Sequence, residues 1–140
     1  MNPHSFTSNS EKETIAYGRR LAKTLEASHI VALQGDLGTG KTQLVKGIAE
    51  AFGIERSRVH SPTFSLIHEY GGNPPLYHFD CYRIESVQEA LEIGIEEYLY
   101  GQGVCVIEWP ERIASILPDE CIWIVLKTIG RNQRQFTMKS

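Results

Sequence analysis

The sequence predicts an α/β fold, in which a mixed and mostly parallel sheet carries helices on both faces and includes an antiparallel hairpin. An apolar segment at residues 29–34 is followed by a glycine-rich loop and then by a helical pattern over residues 41–52. The continuous apolar run at 104–107 is typical of a central parallel strand, which is buried on both faces. Glycine and proline residues at 71–75 separate two short strand-like segments, which favours a hairpin.

The other elements are assigned in chain order from capping and turn residues. Ser10 precedes a helical pattern and Glu13 follows three residues later, which predicts a capping box at the first helix. Pro110 suits the first turn of a helix, which is expected to end near Leu117. The predicted elements are an edge strand at 5–8, a helix after Ser10, a strand at 29–34, a helix at 41–52, strands at 64–70 and 76–80, a helix at 87–93 capped by Ser86, a helix at 95–100, a strand at 104–107, a helix at 110–117, and strands at 121–127 and 133–138 joined by a turn at 128–132.

Composition limits the class of protein. The chain has 140 residues, 41% of them hydrophobic and 22% charged, which suits one globular domain over residues 1–140. The first residues are polar and no apolar run approaches membrane-spanning length, so a cytoplasmic location is expected. The net charge of −3 gives no support for direct binding of nucleic acid, since domains that bind it are more often basic. Contact with RNA as part of a larger complex stays open.

Residues 35–42 carry the complete phosphate-binding pattern G-x-x-x-x-G-K-[ST], which predicts a P-loop NTPase-like site. Its glycines allow left-handed backbone angles, so that backbone N–H groups can turn inward around an anion. Lys41 is expected to reach the β- and γ-phosphates, and the Thr42 hydroxyl to bind Mg²⁺. The predicted ligands are ATP or ADP with Mg²⁺. The loop residues assigned to nucleotide binding are Gly35, Asp36, Leu37, Gly38, Thr39, Gly40, Lys41 and Thr42.

Hydrolysis of a bound nucleotide also needs an acid at the end of a neighbouring strand. Glu108 follows the apolar run 104–107, and Asp80 ends the strand at 76–80. Because 104–107 is the more apolar, it is expected beside the strand that precedes the P-loop, and Glu108 is assigned to Mg²⁺. Asp80 is assigned to orienting the attacking water or to the outer shell of the metal, and Lys41, Asp80 and Glu108 form the catalytic set. Either acid could instead cap the next turn.

Five further side chains are candidates at the nucleotide. Thr63, in the segment Ser-Pro-Thr, could sense the γ-phosphate as a switch threonine does, or could belong to an ordinary loop. Trp109 could stack on a base or contact a partner, or could pack on its own domain. Arg83 could offset transition-state charge or remain solvated. Arg131 and Asn132 occupy the last turn, where they could touch the base or sugar.

Histidines and cysteines do not follow the spacing of a zinc site. There is no CxxC pair, and an odd number of widely spaced cysteines favours buried free thiols. His78 and Asp80 would share a strand face, but a third metal ligand is missing. We therefore interpret these side chains as structural. They are His60, His68, His78, Cys81, Cys105 and Cys121.

Four motifs follow one another along the chain, namely residues 35–42, Ser61-Pro62-Thr63-Phe64, His78-Phe79-Asp80-Cys81-Tyr82-Arg83 and Glu108-Trp109-Pro110-Glu111-Arg112. In this order and spacing they resemble the bacterial TsaE family, also called YjeE. The resemblance covers nearly the whole chain, and it is the combination of the last two motifs that is specific to the family. Position 81 is Cys where members often have an apolar residue such as Leu, which is a mild change on a buried strand.

The resemblance implies an ATP-binding protein with weak intrinsic ATPase activity, required for threonylcarbamoyl modification of adenosine 37 in tRNAs that read codons beginning with A. It implies two related partner subunits, of the TsaB and TsaD types, which form and hold the transfer site, and contact with tRNA through that complex. In the family this subunit does not transfer the carbamoyl group itself. The resemblance also implies that Lys41 and Thr42 hold phosphate and Mg²⁺, that Glu108 is a magnesium ligand, and that Asp80 and Trp109 belong to functional motifs.

Two other classes of protein carry a P-loop. A small-molecule kinase usually needs an arginine-rich lid and an acceptor-binding segment, and this chain offers only short segments between its strands. A GTPase typically reads guanine through an Asn-Lys-x-Asp segment, and its absence here favours ATP over GTP. A small acceptor that accelerates ATP consumption would identify the kinase, and a comparison of ATP and GTP affinities would identify the GTPase.

Overall fold

A computed structural model describes residues 4–35, 40–59 and 67–139. The site predictions for Asp36, Leu37, Gly38, Thr39 and Thr63 lie outside these described residues. The elements in chain order are β1 (His4–Ser8), α1 (Glu11–Ala22), β2 (Ile30–Gln34), α2 (Lys41–Ala51), a 3₁₀ helix (Arg56–Arg58), β3 (Ile67–Tyr70), β4 (Leu76–Asp80), α3 (Val87–Glu92), α4 (Ile95–Leu99), β5 (Val104–Glu108), a second 3₁₀ helix (Pro110–Ile116), β6 (Ile122–Gly130) and β7 (Gln133–Lys139).

The described strands form one seven-stranded sheet in the order β1-β7-β6-β2-β5-β4-β3. The four central strands β6, β2, β5 and β4 are parallel to one another. The flanking pairs β3–β4, β6–β7 and β1–β7 are antiparallel. The predicted mixed sheet with a parallel centre is confirmed, as is the hairpin of β3 and β4. The prediction that the 104–107 strand lies beside the strand before the P-loop is also confirmed, because β5 pairs with β2.

Both faces of the central sheet are covered by helices, which explains why β2 is apolar without alternation. Val31 and Leu33 belong to a buried cluster on one face, together with residues of α1 and α2 such as Leu44. Ile30 and Ala32 belong to a second cluster on the other face, with residues of α3, α4 and the second 3₁₀ helix. No helix within the described ranges is long and apolar enough to cross a membrane.

The start of α1 has the predicted Ser10 cap, but the return hydrogen bond from the Glu13 side chain goes to a different residue. Ser10 Oγ accepts a hydrogen bond from the Glu13 backbone N–H at 3.1 Å. The Glu13 carboxylate accepts from the backbone N–H of Asn9, at 3.2 Å, rather than from Ser10. The return bond is therefore shifted by one residue, and it ties the end of β1 to the first turn of the helix.

Two predicted element boundaries are wrong. Residues 110–117 were expected to form a helix, but Pro110–Ile116 is a 3₁₀ helix that is interrupted at Ile113, where φ is −129°. Trp109, at φ 57°, turns the chain sharply before it, and the 3₁₀ helix has only seven residues. The turn expected at 128–132 is shorter than predicted, because β6 extends to Gly130 and only two residues join it to β7.

The three described cysteines are buried free thiols, as the spacing predicted. Burial raises the pKa of Cys81 and of Cys105 to about 12, and that of Cys121 to about 11. Because the thiolate is the reactive form, these side chains act as small apolar groups in the second buried cluster.

Helices α1 and α2 approach each other at two glycines. A methyl group on Gly47 would lie 2.0 Å from the carbonyl oxygen of Ile15, and one on Gly18 would lie 2.4 Å from that of Leu44. Backbone atoms cannot move aside as the end of a flexible side chain can. The absence of a side chain at these two positions therefore sets how closely α2 packs on α1.

We expect Gly47→Ala to lower the free energy of unfolding by about 1–3 kcal/mol, the usual cost of overpacking. This loss exceeds the gain of about 0.5–1 kcal/mol that alanine brings to a helix interior. Urea unfolding measures the difference. Gly71→Ala is the matched control, because a methyl group there meets no atom within 4 Å. Equal stability of Gly47→Ala and the unchanged protein would contradict the close helix contact.

Candidate nucleotide site

A polar cavity of about 610 Å³ lies at the carboxyl ends of the central parallel strands. Its volume is within the range of small-molecule sites, about 300–1,000 Å³, and ligands of open α/β sheets bind at this edge. Two sides of the fold contribute, the start of α2 with the end of β5, and the start of α1 with the β6–β7 turn. The lining residues are Asn9, Ser10, Glu11, Thr14, Gly40, Lys41, Thr42, Gln43, Glu108, Asn132 and Arg134.

The N-terminus of α2 opens into this cavity. Gly40 precedes the helix at φ 94°, a left-handed angle that glycine adopts without strain, and no side chain caps the helix there. The first turn contains no acidic residue. The partial positive charge of a helix N-terminus and its free N–H groups favour an anion at this point. The described end of the P-loop thus has the local geometry of a phosphate site.

The Lys41 ammonium is held by three neighbours. The side chain is only 5% exposed, and Nζ donates a hydrogen bond to the Gly35 carbonyl oxygen at 2.7 Å. Nζ lies 3.9 Å from Glu108 Oε1 and 4.7 Å from the centroid of the Trp109 ring. A cation over an indole face gains a favourable interaction with the ring quadrupole. Lys41 therefore faces the end of β5, where Glu108 and Trp109 follow each other.

Glu108 is a buried carboxylate between two groups that carry protons. It is 5% exposed, and its Oε2 accepts a hydrogen bond from His78 Nε2 at 2.5 Å. The sequence interpretation of His78 as a structural residue did not anticipate this contact. The available signal was register: His78 lies on β4, the strand beside β5, two residues before Asp80, which is the register partner of Glu108.

Asp80 ends β4 next to Glu108 and also caps the following turn. Its Oδ1 accepts a hydrogen bond from the Tyr82 backbone N–H at 2.9 Å. Burial is the main cause that raises the pKa of Asp80, and the charge of Glu108 adds to it, while the Tyr82 N–H, Lys41 and His78 act in the opposite direction. Both of the alternatives drawn from the sequence, a turn cap and a site acid, are compatible with this position.

The other candidates fall at different distances from the cavity. Asn132 lines it, at φ 63° in the β6–β7 turn, whereas Arg131 beside it is exposed and is not among the lining residues. Arg83 is exposed in the turn after β4. Trp109 is half-buried and its ring lies 4.9 Å from that of Tyr82, so it packs on its own domain as well as on Lys41.

Arg134 lines the cavity and was missed by the sequence analysis. It is the register partner of Ser8, so it lies beside the cavity residues that follow β1. This placement depends on the pairing of β7 with β1, which no local pattern in the sequence shows. Arg134 therefore supplies a second positive charge to the cavity that Lys41 lines.

The donor set fits a magnesium nucleotide. The Thr42 hydroxyl and the Glu108 carboxylate both line the cavity, and Mg²⁺ prefers such oxygen ligands. In the described part of the chain, no group of three His, Cys, Asp or Glu residues is arranged to hold a metal. Mg²⁺ usually takes one or two protein oxygens and completes its shell with phosphate and water.

Comparisons with known proteins agree in one family. The model of a family described as "Threonylcarbamoyl adenosine biosynthesis protein TsaE" matches residues 8–136. A Treponema pallidum protein named tRNA threonylcarbamoyladenosine biosynthesis protein TsaE is 43% identical over 131 residues, 94% of this chain and 96% of that protein. A Bacillus subtilis protein of the same name is 46% identical over 127 residues, 90% of this chain and 78% of that protein. The crystal structure of Bacillus subtilis YdiB superposes with a TM-score of 0.81 at 36% identity, covering 97% of this chain and 84% of that one.

We expect Asp80→Asn to raise the free energy of unfolding at pH 7–8 in metal-free buffer. The pKa of Asp80 is raised in the fold, so ionisation is less favourable there than in the unfolded chain. That cost is fully present above the raised pKa and is lost as the pH falls past the unfolded value, about 3.9. The amide oxygen of asparagine can still accept from the Tyr82 N–H.

Urea unfolding at pH 8, 6 and 4 in the presence of EDTA measures this difference. Asp119→Asn, at an exposed position, is the matched control. A stability gain of Asp80→Asn that grows as the pH falls would show that the sign is wrong.

Proposed function

This chain belongs to the TsaE family, and on that premise we propose that it is a magnesium-dependent ATPase that supports threonylcarbamoyl modification of tRNA. The modified base is adenosine 37 in tRNAs that read codons beginning with A. One observation carries the ATPase assignment: the buried Glu108 carboxylate lies 3.9 Å from the P-loop lysine, in the cavity into which the N-terminus of α2 opens. A strand-end acid beside a P-loop lysine is the arrangement of phosphoryl-transfer sites.

The chain's own residues would bind and orient the nucleotide. The N–H groups at the start of α2 and the Lys41 ammonium bind the phosphates, with residues 36–39 completing the P-loop. Thr42 and Glu108 would hold Mg²⁺, which would offset the negative charge that develops on the transferred phosphoryl group. Asp80 orients the attacking water, and Thr63 remains a second candidate for that role.

The far wall of the cavity would hold the sugar and base. Asn132 and Arg134 line it from the β6–β7 turn, and Asn9 and Glu11 line it from the start of α1. Arg134 offers a charge and a planar face that suit a phosphate or a purine ring. Trp109 packs on Lys41 and so acts on the phosphate end of the site, with its other ring contacts toward Tyr82.

The partners of this ATPase are proposed to be the TsaB- and TsaD-type subunits of the transfer complex, with tRNA contacted through that complex. The names of the relatives support a role in this pathway. The net charge of −3 supports indirect rather than direct contact with tRNA. Hydrolysis by the isolated chain is expected to be slow, since the family resemblance implies an ATPase that works within the complex.

We expect the purified chain to hydrolyse ATP slowly alone and faster when both partner subunits and tRNA are added. Release of inorganic phosphate measures the rate, with each partner omitted in turn as a control. Formation of threonylcarbamoyladenosine is followed in the same reactions. A rate that ignores the partners but increases with a small metabolite would replace this proposal with the small-molecule kinase.

We expect Lys41→Ala to weaken nucleotide binding and abolish hydrolysis, and Glu108→Gln to retain binding but lose at least about 100-fold in kcat. Charge stabilisation by a metal is worth several kcal/mol in the transition state, and about 1.4 kcal/mol is a factor of ten. Glutamine keeps an oxygen for His78 while removing the charge. Glu111→Gln, an exposed acid three residues further on, is the matched control. Turnover by Glu108→Gln at the unchanged rate would remove Glu108 from the mechanism.

A further inference from the structure

His78 is a polar side chain in an apolar core. Its ring is 0% exposed on β4, a strand covered on both sides by β3 and β5. Its Nε2 bonds to Glu108, and its Nδ1 has no hydrogen-bond partner in the described part of the chain. Burying a polar group without a full set of partners costs free energy, so packing alone does not account for a histidine here.

The two oxygens of the Glu108 carboxylate have different surroundings. Oε2 is bound by His78 at 2.5 Å, whereas Oε1 lies 3.9 Å from Lys41 Nζ. The second distance is longer than a hydrogen bond, which is about 2.7–3.2 Å. The opposite charges of Glu108 and Lys41 nevertheless attract each other strongly, since both side chains are only 5% exposed. Two bonds oppose closure of this pair: Lys41 Nζ donates to the Gly35 carbonyl oxygen at 2.7 Å, and His78 binds the carboxylate from β4.

We propose that His78 is a positioning residue that holds the Glu108 carboxylate away from Lys41. The inference rests on the proposed function and deepens it. With Oε2 bound to His78, Lys41 stays free to bind phosphate and Oε1 stays free to bind the magnesium ion. Without that bond, the carboxylate forms a direct ion pair with Lys41. The ion pair then occupies both the ammonium group that would bind phosphate and the carboxylate oxygen that would bind the magnesium ion.

The chemistry of the contact fits this role. An ionised carboxylate only accepts hydrogen bonds, so His78 Nε2 carries the proton and donates it. A side chain that bonds to a metal ligand fixes the orientation of that ligand, and removing it typically costs about 10- to 100-fold in metal affinity or activity. The bond comes from the interior of a central strand, so the carboxylate is held by a rigid part of the fold.

The test compares His78→Leu, which removes the donor, with His78→Gln, whose amide N–H can replace it. Binding of ADP is measured by calorimetry in EDTA and then over a Mg²⁺ titration, without hydrolysis. Mg²⁺ is expected to tighten the binding of ADP. For His78→Leu we expect the Mg²⁺ concentration that gives half of this effect to rise about 10- to 100-fold. ADP affinity in EDTA should also fall, because Lys41 is then paired with Glu108. In ATPase assays kcat should fall more than KM rises, and His78→Gln should recover most of each value.

Leu76→Ala is the control for a loss of core packing. It lies on the same strand, pairs with Val104 and is fully buried, four residues from the register partner of Glu108. It should lower thermal stability and leave the Mg²⁺ requirement unchanged. A Mg²⁺ requirement of His78→Leu that equals that of the unchanged protein would overturn the inference, and so would an equal shift in Leu76→Ala.

If His78→Leu does not fold, His78→Asn takes its place. Its amide is one methylene shorter than that of glutamine, so it is expected to miss Glu108 and to show the raised Mg²⁺ requirement. The inference would be overturned if the Gln and Asn variants both had the Mg²⁺ requirement of the unchanged protein. Absence of Mg²⁺-dependent ADP binding in the unchanged protein would instead overturn the proposed function, and the positioning role with it.

Discussion

Parallel pairing of the three central strands β2, β5 and β4 is the constraint on which the site depends. Parallel neighbours end at the same edge of a sheet, so the P-loop after β2, Glu108 after β5 and Asp80 after β4 all meet there. The pairing requires helical crossovers, and these cover both faces with apolar side chains. The site thus acquires a rigid, water-poor base, in which a lysine and a glutamate can face each other with little exposure. An antiparallel arrangement of the same strands would carry these acids to opposite ends.

The sequence was sufficient for features that depend on local pattern, such as the helix that begins at Lys41, the first helix cap, the hairpin and the central place of β5. It was not sufficient for features that depend on register across strands. His78 was considered only as a possible metal ligand and was then interpreted as structural. Spacing along the chain does not show that β4 pairs with β5, the strand that ends in Glu108. Arg134 was missed for a similar reason, since its approach to the cavity follows from the pairing of β7 with β1. Thr128 and Ile129 are β-branched and suit a strand, and pairing with β7 continues β6 through them to Gly130.

Polar side chains buried near the site lower the stability of the fold, and they shape the site at the same time. Asp80 is held in a place that raises its pKa, and His78 occupies a core position that an apolar residue could fill. Such departures from an ideal core concentrate at functional sites, where activity needs a geometry that packing alone would not choose. Cys81, which directly follows Asp80, is by contrast a buried thiol that packs in the second apolar cluster.

The antiparallel pairing of β1 with β7 has a consequence for the newly synthesised chain. His4 lies opposite Met138, so the first described strand has no neighbour in the sheet until the last one has left the ribosome. The cavity draws on both ends of the chain in the same way, because Asn9 and Glu11 line it together with Asn132 and Arg134. Contacts of such long sequence separation form late in folding. A nascent chain that has completed its P-loop helix still lacks the wall that would enclose a nucleotide. The cavity is consequently complete only after β7 has been synthesised and has paired with β1.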